Sequence, residues 1–502
     1  MLKNYFRIAW RNLKANKFYS IINISGLGVG LATGIMLLLW VKNEFSYNRF
    51  NRKYKNIYQV NSHITFLEGK SLAWQGVPGP LSVMAKEIPG VISVLRLVSD
   101  DENSTLSEKV LSNVDQTRVF DDNSIVYADG NFLSFFNYKL LHGNRDAFLP
   151  NGHVVGLTPS TAKKLFGTED AIGKIVRFDK NSFTVTAVLQ DFPHNSSLQY
   201  DAIFPVDYYA HQFTANGGNH GWKTIDEDIN AYSFRTFLQL NPNANTSNIE
   251  TKLTHLFNAT GSGQAPTVFQ LQNLGDLHLI GIDGNISALQ MVRIMALVAI
   301  LILIIASINY VNLSTARALT RIREVSIKKI IGAKRSQLFL QFITETVLTF
   351  VFAVFVAITL IILLKPLYDR ITGEQLTLSL SNVSVLEILF LTLLVTIPIS
   401  SIYPALLLSS FNPLGAVRKK SFLGIKTSSF RKSLVVLQFM ISLILLASTI
   451  IMGNQMAYIR NKDLGYDKNY VFTVSFPAEA TKNTDAIENE LLLQNGILNV
   501  SF

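Results

Sequence analysis

The chain has 502 residues and no cysteine, so no disulfide can brace it, and 48% of it is hydrophobic. Its net charge of +10, with a pI near 9.4, would suit a nucleic-acid binder, but the cations gather in short segments between long apolar runs, which excludes that class. The runs Ile21–Val41, Leu289–Val311, Phe339–Leu364, Leu386–Leu408 and Leu434–Gly453 exclude a wholly soluble protein: each is close to the ~20 apolar residues that carry a helix across the hydrocarbon core.

In residues 1–20, Leu2, Tyr5, Phe6, Ala9, Trp10 and Leu13 fall on one helical face, with Lys3, Arg7, Arg11 and Lys14 on the rest. That is the pattern of an amphipathic helix lying in the cytoplasmic membrane interface. The n-region of a signal peptide is the rival, but the run that follows is long and no small-residue cleavage site comes after it. Residues 21–41 form membrane helix 1. Within it Gly26, Gly30 and Gly34 recur every four residues, a ridge along which another backbone can approach closely. The plain alternative is that glycines are common in membrane helices.

Residues 43–287 are a polar insert large enough to hold itself together by its own core. Phe183–Leu189 and Ser233–Leu240 alternate like strands, Pro159–Phe166 and Thr246–Phe257 read as helices, and turn clusters such as Asn216-Gly217-Gly218-Asn219 separate such elements. An α+β domain with two lobes is expected. Gly167 and Gly173-Lys174 resemble a phosphate loop only on the surface: five residues separate the glycines where four are needed, and Ile175 stands where Ser or Thr would ligate magnesium. His211 and His220 lie in a Gly/Asn-rich loop with no carboxylate at ligand spacing, so no metal site is expected. No nucleophile elbow, His-Glu-x-x-His or kinase signature occurs, and no catalytic residue is assigned.

Membrane helices 2 (289–311), 3 (339–364), 4 (386–408) and 5 (434–453) follow. Glu345 and Gln438 are expected at the interface or against other helices rather than in a proton pathway. Pro398 and Pro404 are placed to kink helix 4. Charge fixes the orientation. The N-terminal segment carries Lys3, Arg7, Arg11, Lys14 and Lys17 with no acid. The link between helices 2 and 3 has Glu324 alone against seven cations from Arg317 to Arg335, and the link between helices 4 and 5 is basic again. Short basic loops stay cytoplasmic. The N-terminus is therefore inside, and residues 43–287 lie outside with everything after Gly453.

An internal repeat is visible. Phe6-Arg7 returns as Phe430-Arg431, Tyr54–Val60 as Asn469–Val474, and Ile88–Val94 as Gln494–Val500. Residues 454–502 thus read as the start of a second exterior domain, and the sequence as a piece of a longer product.

The cytoplasmic loop 312–338 contains Arg323-Glu324-Val325-Ser326-Ile327-Lys328-Lys329-Ile330-Ile331-Gly332-Ala333. A short amphipathic helix is expected, with Ile322, Val325, Ile330 and Ile331 on one face and Gly332 as its stop. On these residues alone, a positive-inside loop and nothing more is the plain alternative. Their order, however, resembles the coupling region of MacB/FtsX-type ABC transporter permeases, Arg-Glu-hydrophobic-Gly-hydrophobic-Arg/Lys-Lys-Ala-hydrophobic-Gly-Ala. Ser326 replaces the usual Gly and Ile330 the usual Ala. Tyr403-Pro404-Ala405, Ser409, Asn412-Pro413 and Ala416-Val417-Arg418 look like the family's ending, and the order of one span, exterior domain and three spans is also similar.

The resemblance implies an α-helical membrane protein of the bacterial inner membrane, of the eight-span, duplicated branch. It would carry a large α+β MacB-like periplasmic core domain at 43–287 and an FtsX-like permease domain at 289–418. It also implies no cofactor in this chain, ATP and magnesium being bound only by a cytosolic ABC ATPase dimer. That dimer would grip Arg323, Glu324, Val325, Ile327, Lys328, Lys329, Gly332 and Ala333, with Arg323, Lys328 and Lys329 on acidic surface and Glu324 on basic. Further implied partners are membrane lipids, a periplasmic adaptor, and a second permease half from the same full-length chain or another copy. The implied function is transmission of ATP-driven motion to the periplasmic domain, to export a peptide, an antibiotic-like molecule or a lipoprotein. The rival is a signalling module that activates a cell-wall hydrolase or stress sensor without transport. A membrane-tethered enzyme lacks any acid/base constellation.

Overall fold

The computed structural model describes residues 2–66, 71–99, 110–115, 117–120, 124–145, 148–150, 152–178, 181–219, 221–261, 266–318, 321–373, 383–410, 426–462, 471–472, 484–494 and 496–501. At Leu2, Ala318, Ile322, Arg323, Ser384 and residues 426–428 only the backbone is described. The chain divides into two compact units, Met1–Asn43 with Gln290–Tyr470, and Glu44–Leu289 with Val471–Phe502.

The chain opens with α1 (Leu2–Ala15) and α2 (Lys17–Ser46). α1 turns Ala9 inward, fully buried, and leaves Lys3, Arg7, Arg11 and Lys14 exposed. The bend into α2 is pinned by Ser20, whose hydroxyl donates to the Leu13 and Asn16 carbonyls, both at 3.0 Å.

The inserted domain follows. In chain order it holds β1 (Ile57–Thr65), β2 (Ser71–Trp74), α3 (Pro80–Lys86), β3 (Val91–Ser99), β4 (Leu111–Asn113), β5 (Val119–Phe120), β6 (Ile125–Ala128), α4 (Phe132–Phe136), β7 (Leu140–Gly143), β8 (Val154–Leu157), α5 (Pro159–Phe166), β9 (Ile175–Phe178), β10 (Asn181–Leu189), β11 (Ala202–Pro205), α6 (Val206–Ala215), β12 (Arg235–Leu240), α7 (Thr246–Asn258) and β13 (Thr267–Asn273). What reads from the sequence as two lobes is, among the described residues, one 13-stranded sheet, ordered β13-β1-β12-β3-β6-β11-β8-β10-β9-β4-β5, with β2 beside β1 and β7 beside β10. The sheet is mixed: β6 pairs in parallel with β11, and β8 with β10, while the other pairings are antiparallel.

What is double is the core. Successive residues of a strand point to opposite faces, and here both faces are apolar. In β6, Ile125 and Tyr127 join one cluster while Val126 and Ala128 join the other. Leu81 of α3, Leu165 of α5 and Leu253 of α7 cover the first face. On the second, Phe132 and Phe136 of α4 interlock with Phe148, Phe192 and Phe237, the Phe136 and Phe237 rings meeting edge to face at 5.3 Å. His211 sits within α6 rather than in a loop, and His220 lies outside the described residues.

The chain enters and leaves this domain at one place. Asn48 adopts φ 60°, a left-handed conformation that asparagine tolerates better than most residues. Its amide donates to Ser197 Oγ at 2.8 Å and to the Leu274 carbonyl at 2.9 Å. Beside it, His278 meets Glu44 Oε2 at 2.7 Å and stacks on Tyr47 with ring centroids 3.4 Å apart. The entering and departing strands of chain are thereby tied side by side.

After the domain come α8 (Ser287–Ala318), α9 (Ile322–Ile330), α10 (Arg335–Thr372), α11 (Val383–Ser410), α12 (Lys426–Asn461) and α13 (Thr484–Leu492). Among the described residues, five helices are long and apolar enough to cross a membrane: Lys17–Ser46, Ser287–Arg317, Arg335–Thr372, Val385–Ser410 and Ser429–Asn461. α10 has 38 residues and is therefore about 57 Å long, well beyond a hydrocarbon core of ~30 Å. α11 continues as helix through Pro398 and Pro404. The family-like ending at 412–418, and 463–470 and 473–483 of the expected second domain, lie outside the described residues.

Candidate coupling site

The loop between α8 and α10 folds as α9 with charges that suit both ends and a closed C-terminus. Glu324 occupies the first turn and Lys328 and Lys329 the last, each sign favoured by the helix dipole. Gly332 takes φ +100°, and the amides of Ala333 and Gly332 donate to the carbonyls of Lys328 and Lys329 at 2.9 and 3.0 Å. That pair of bonds is a Schellman closure, which needs a glycine at this position. The Lys334 amide then bonds Gln337 Oε1 at 3.0 Å and opens α10.

Val325 turns toward the helix bundle, 2% exposed, and packs with Leu338, Phe342, Ala405 and Leu408. Ile330 and Ile331, expected on the same face as Val325, lie on the other side at 76% and 80% exposure. Spacings of five and six residues carry a side chain to the far side of a helix, whereas three and four keep it on one side. Ile327, 58% exposed, therefore shares the outer face with Ile330 and Ile331. The side chains of Ile322 and Arg323 lie outside the described residues.

Of the charges expected to meet a partner, those of Glu324, Lys328 and Lys329 bond within the chain. Lys328 Nζ donates to Glu324 Oε1 at 2.7 Å and to Gln341 Oε1 at 3.1 Å. Lys329 Nζ reaches the Ser409 carbonyl at the end of α11, 2.7 Å away. Glu324 also accepts from Arg321 Nε at 3.4 Å. Burial alone would raise the Glu324 carboxyl, but the Lys328 ammonium and Arg321 guanidinium hold it below the ordinary carboxylate value. Lys329 is pulled below the usual lysine value by burial and by neighbouring Arg335.

At the centre of this network stands a pair the sequence reading did not assign. Arg321, which precedes α9, clasps Glu345 of α10 with two bonds, at 2.5 and 3.0 Å. Burial works against the Arg321 charge, yet Glu345 and Glu324 outweigh it and hold the guanidinium above the usual arginine value. Glu345 also accepts from Asn12 of α1 at 2.8 Å and from Gln341 at 3.1 Å. Its signal was present: an acid inside an apolar run must find a cation, and the basic loop before it supplies one. Asn12, Arg321 and Glu345 border a cavity of about 50 Å³, also lined by Tyr19, Asn23 and Tyr310, which has room for water.

Packing joins this base to the spans. A β-carbon on Gly26, Gly30 or Gly34 would lie 3.3 Å from the Asn309 amide nitrogen, 2.5 Å from the Ala306 β-carbon and 2.7 Å from the Leu303 side chain, all on α8. Gly28, which the four-residue ridge leaves out, stands equally close to Val356 of α10, at 2.6 Å. α2 is thus pressed between two neighbours by glycines on two faces. Lys42 and Glu387 pair at 2.5 Å between α2 and α11.

A large α/β domain stands in the chain between the first and second of five helices long and apolar enough to cross a membrane, and a short amphipathic helix between the second and third. Family models agree piece by piece: residues 20–256 match the MacB-like periplasmic core domain, and residues 296–413 the FtsX-like permease C-terminal region. Together these matches support a MacB/FtsX-type ABC transporter permease. It is 24% identical over 271 residues to the macrolide export ATP-binding/permease protein MacB of Bdellovibrio bacteriovorus, covering 53% of this chain and 38% of that protein. With the protein of the same name from Chromobacterium violaceum it shares 21% over 355 residues, 69% of this chain and 50% of the other. The chain thus spans half the length or less of these curated relatives. The crystal structure of the periplasmic region of MacB from Actinobacillus actinomycetemcomitans aligns with a TM-score of 0.31 at 18% identity, over 44% of this chain and 89% of that one.

Proposed function

We propose that this chain is the membrane subunit of an ABC transporter, set in the bacterial inner membrane with its N-terminus and α9 in the cytoplasm and residues 43–287 in the periplasm. The alternation of basic and non-basic links supports that orientation. A cytosolic ATPase dimer, which alone holds ATP and magnesium, grips α9; closure of the dimer displaces α9 with α8 and α10, and the motion reaches the periplasmic domain through α2 and α8. The cargo class is a peptide, an antibiotic-like molecule or a lipoprotein, expelled with a second permease half and a periplasmic adaptor.

One observation carries this reading. α9 is fastened to the bundle by Val325 and by the Arg321, Lys328 and Lys329 bonds, while Ile327, Ile330 and Ile331 are left bare on its outer side. A helix anchored by its charges and bare in its isoleucines presents an apolar ridge for a groove on the ATPase, with specificity left to the rim.

The test is ATPase stimulation by the full-length permease co-expressed with its ATPase. Ile327→Glu with Ile330→Glu should abolish stimulation while the permease still inserts. Undiminished stimulation by that variant would contradict the assignment.

A further inference from the structure

α1 has dissimilar sides. Toward the bundle, Ala9 is fully buried and Asn12 bonds Glu345. Away from it Lys3, Arg7, Arg11 and Lys14 are all exposed, and the helix carries no acid to balance them. Between the two sides stand Phe6 and Trp10, one turn apart and about half exposed, Trp10 resting on Phe352 of α10 with ring centroids 5.8 Å apart. A row of rings beside a row of cations suits a helix laid along a bilayer, with aromatics among the upper acyl chains and cations among the headgroups. The Ser20 bonds to Leu13 and Asn16 fix α1 to the start of a membrane-crossing helix, so its height at the surface is set by the fold.

The inner side reaches α9. Glu345 Oε1 is shared by three donors: Asn12 of α1, Gln341 of α10, and the Arg321 guanidinium that opens α9. Arg321 in turn bonds Glu324 within α9. Removing Asn12 from this carboxylate leaves Oε1 one donor short, and the side chain that holds Arg321 loses its tie to α1.

We propose that α1 binds an anionic phospholipid surface, and that Asn12 and Glu345 relay its seating to α9. Four unbalanced cations select negative headgroups over zwitterionic ones, and the two exposed rings select a bilayer over an acidic protein face. Anionic lipid then holds α1 down, keeps Asn12 on Glu345 and keeps Arg321 in place at the head of α9.

The experiment is hydrogen–deuterium exchange on the full chain, without any ATPase, in nanodiscs of phosphatidylcholine alone or mixed with phosphatidylglycerol. The anionic lipid should slow exchange in both α1 and α9, by about tenfold, and added salt should reverse it. Arg7→Gln with Arg11→Gln, on the exposed side, should remove both effects. Asn12→Ala should keep the effect on α1 and lose it on α9. Indifference of α1 to the lipid overturns the surface. An α9 response that survives Asn12→Ala, or that is missing while α1 responds, overturns the relay. Because no ATPase is present, neither result depends on what α9 docks against.

Discussion

Gly30 of α2 stands against Ala306 of α8 so closely that a β-carbon added to Gly30 would fall 2.5 Å from the one on Ala306. Neither helix can grow there without the other giving way, and the neighbouring Gly26 and Gly34 extend the contact to Asn309 and Leu303. Gly30→Ala should destabilise the bundle by about 1–3 kcal/mol, the usual cost of overpacking, and Gly30→Leu by more. Insertion should be unaffected, since glycine is not needed to cross a bilayer. Moving the methyl across, in Gly30→Ala with Ala306→Gly, should restore most of the loss. Fluorescence-detected size exclusion read beside membrane yield separates assembly from insertion, and a monodisperse Gly30→Leu protein would refute the contact.

The Arg321–Glu345 pair, with both side chains 16% exposed, should behave as a mostly buried ion pair. Glu345→Ala strands the guanidinium and should cost about 3 kcal/mol, as breaking such pairs does. Arg321→Met with Glu345→Met leaves no orphaned charge and should cost less than either single change. Thermal unfolding in detergent tests the order, and a double variant worse than both singles would contradict it.

Acid should release α9 from within. The Glu324 carboxyl is held below its ordinary value of 4.5, so its contribution is complete above that value and is lost as pH falls through the lower folded one. Amide protection across α9, corrected for intrinsic exchange, should stay flat through neutral and mildly acidic pH and drop only below about 4.5. Glu324→Gln should abolish the drop. A step near neutrality would mean that another group controls α9.

The five long apolar helices were readable because an extended apolar run is a one-dimensional signal. The stretches Pro159–Phe166 and Thr246–Phe257 emerged as α5 and α7 because each has an N-cap residue, Thr158 or Asn245, accepting a bond from the helix's own first turn. The single sheet was not readable, since the pairing of β12 with β3 and β1 depends on contacts far apart in sequence. The same limit hid Gly28, whose partner Val356 lies on another helix, and hid the pairing of Arg321 with Glu345. α9 was legible, but Ile330 and Ile331 do not share the face of Val325, because spacings of five and six residues carry them to the far side of the helix.

On the proposed function, the bare isoleucines of α9 touch a nucleotide-hydrolysing subunit in the cytoplasm. These 502 residues hold no cysteine, so Ile331→Cys adds one attachment point to them for a thiol-directed photo-crosslinker, any thiols elsewhere in the full-length complex being replaced first. Irradiation should yield an adduct whose partner peptide, by mass spectrometry, belongs to an ABC ATPase, and the adduct should vanish with Ile327→Glu and Ile330→Glu. Labelling of Ile331→Cys in intact cells by a membrane-impermeant thiol reagent would put α9 on the wrong side of the membrane and contradict the account.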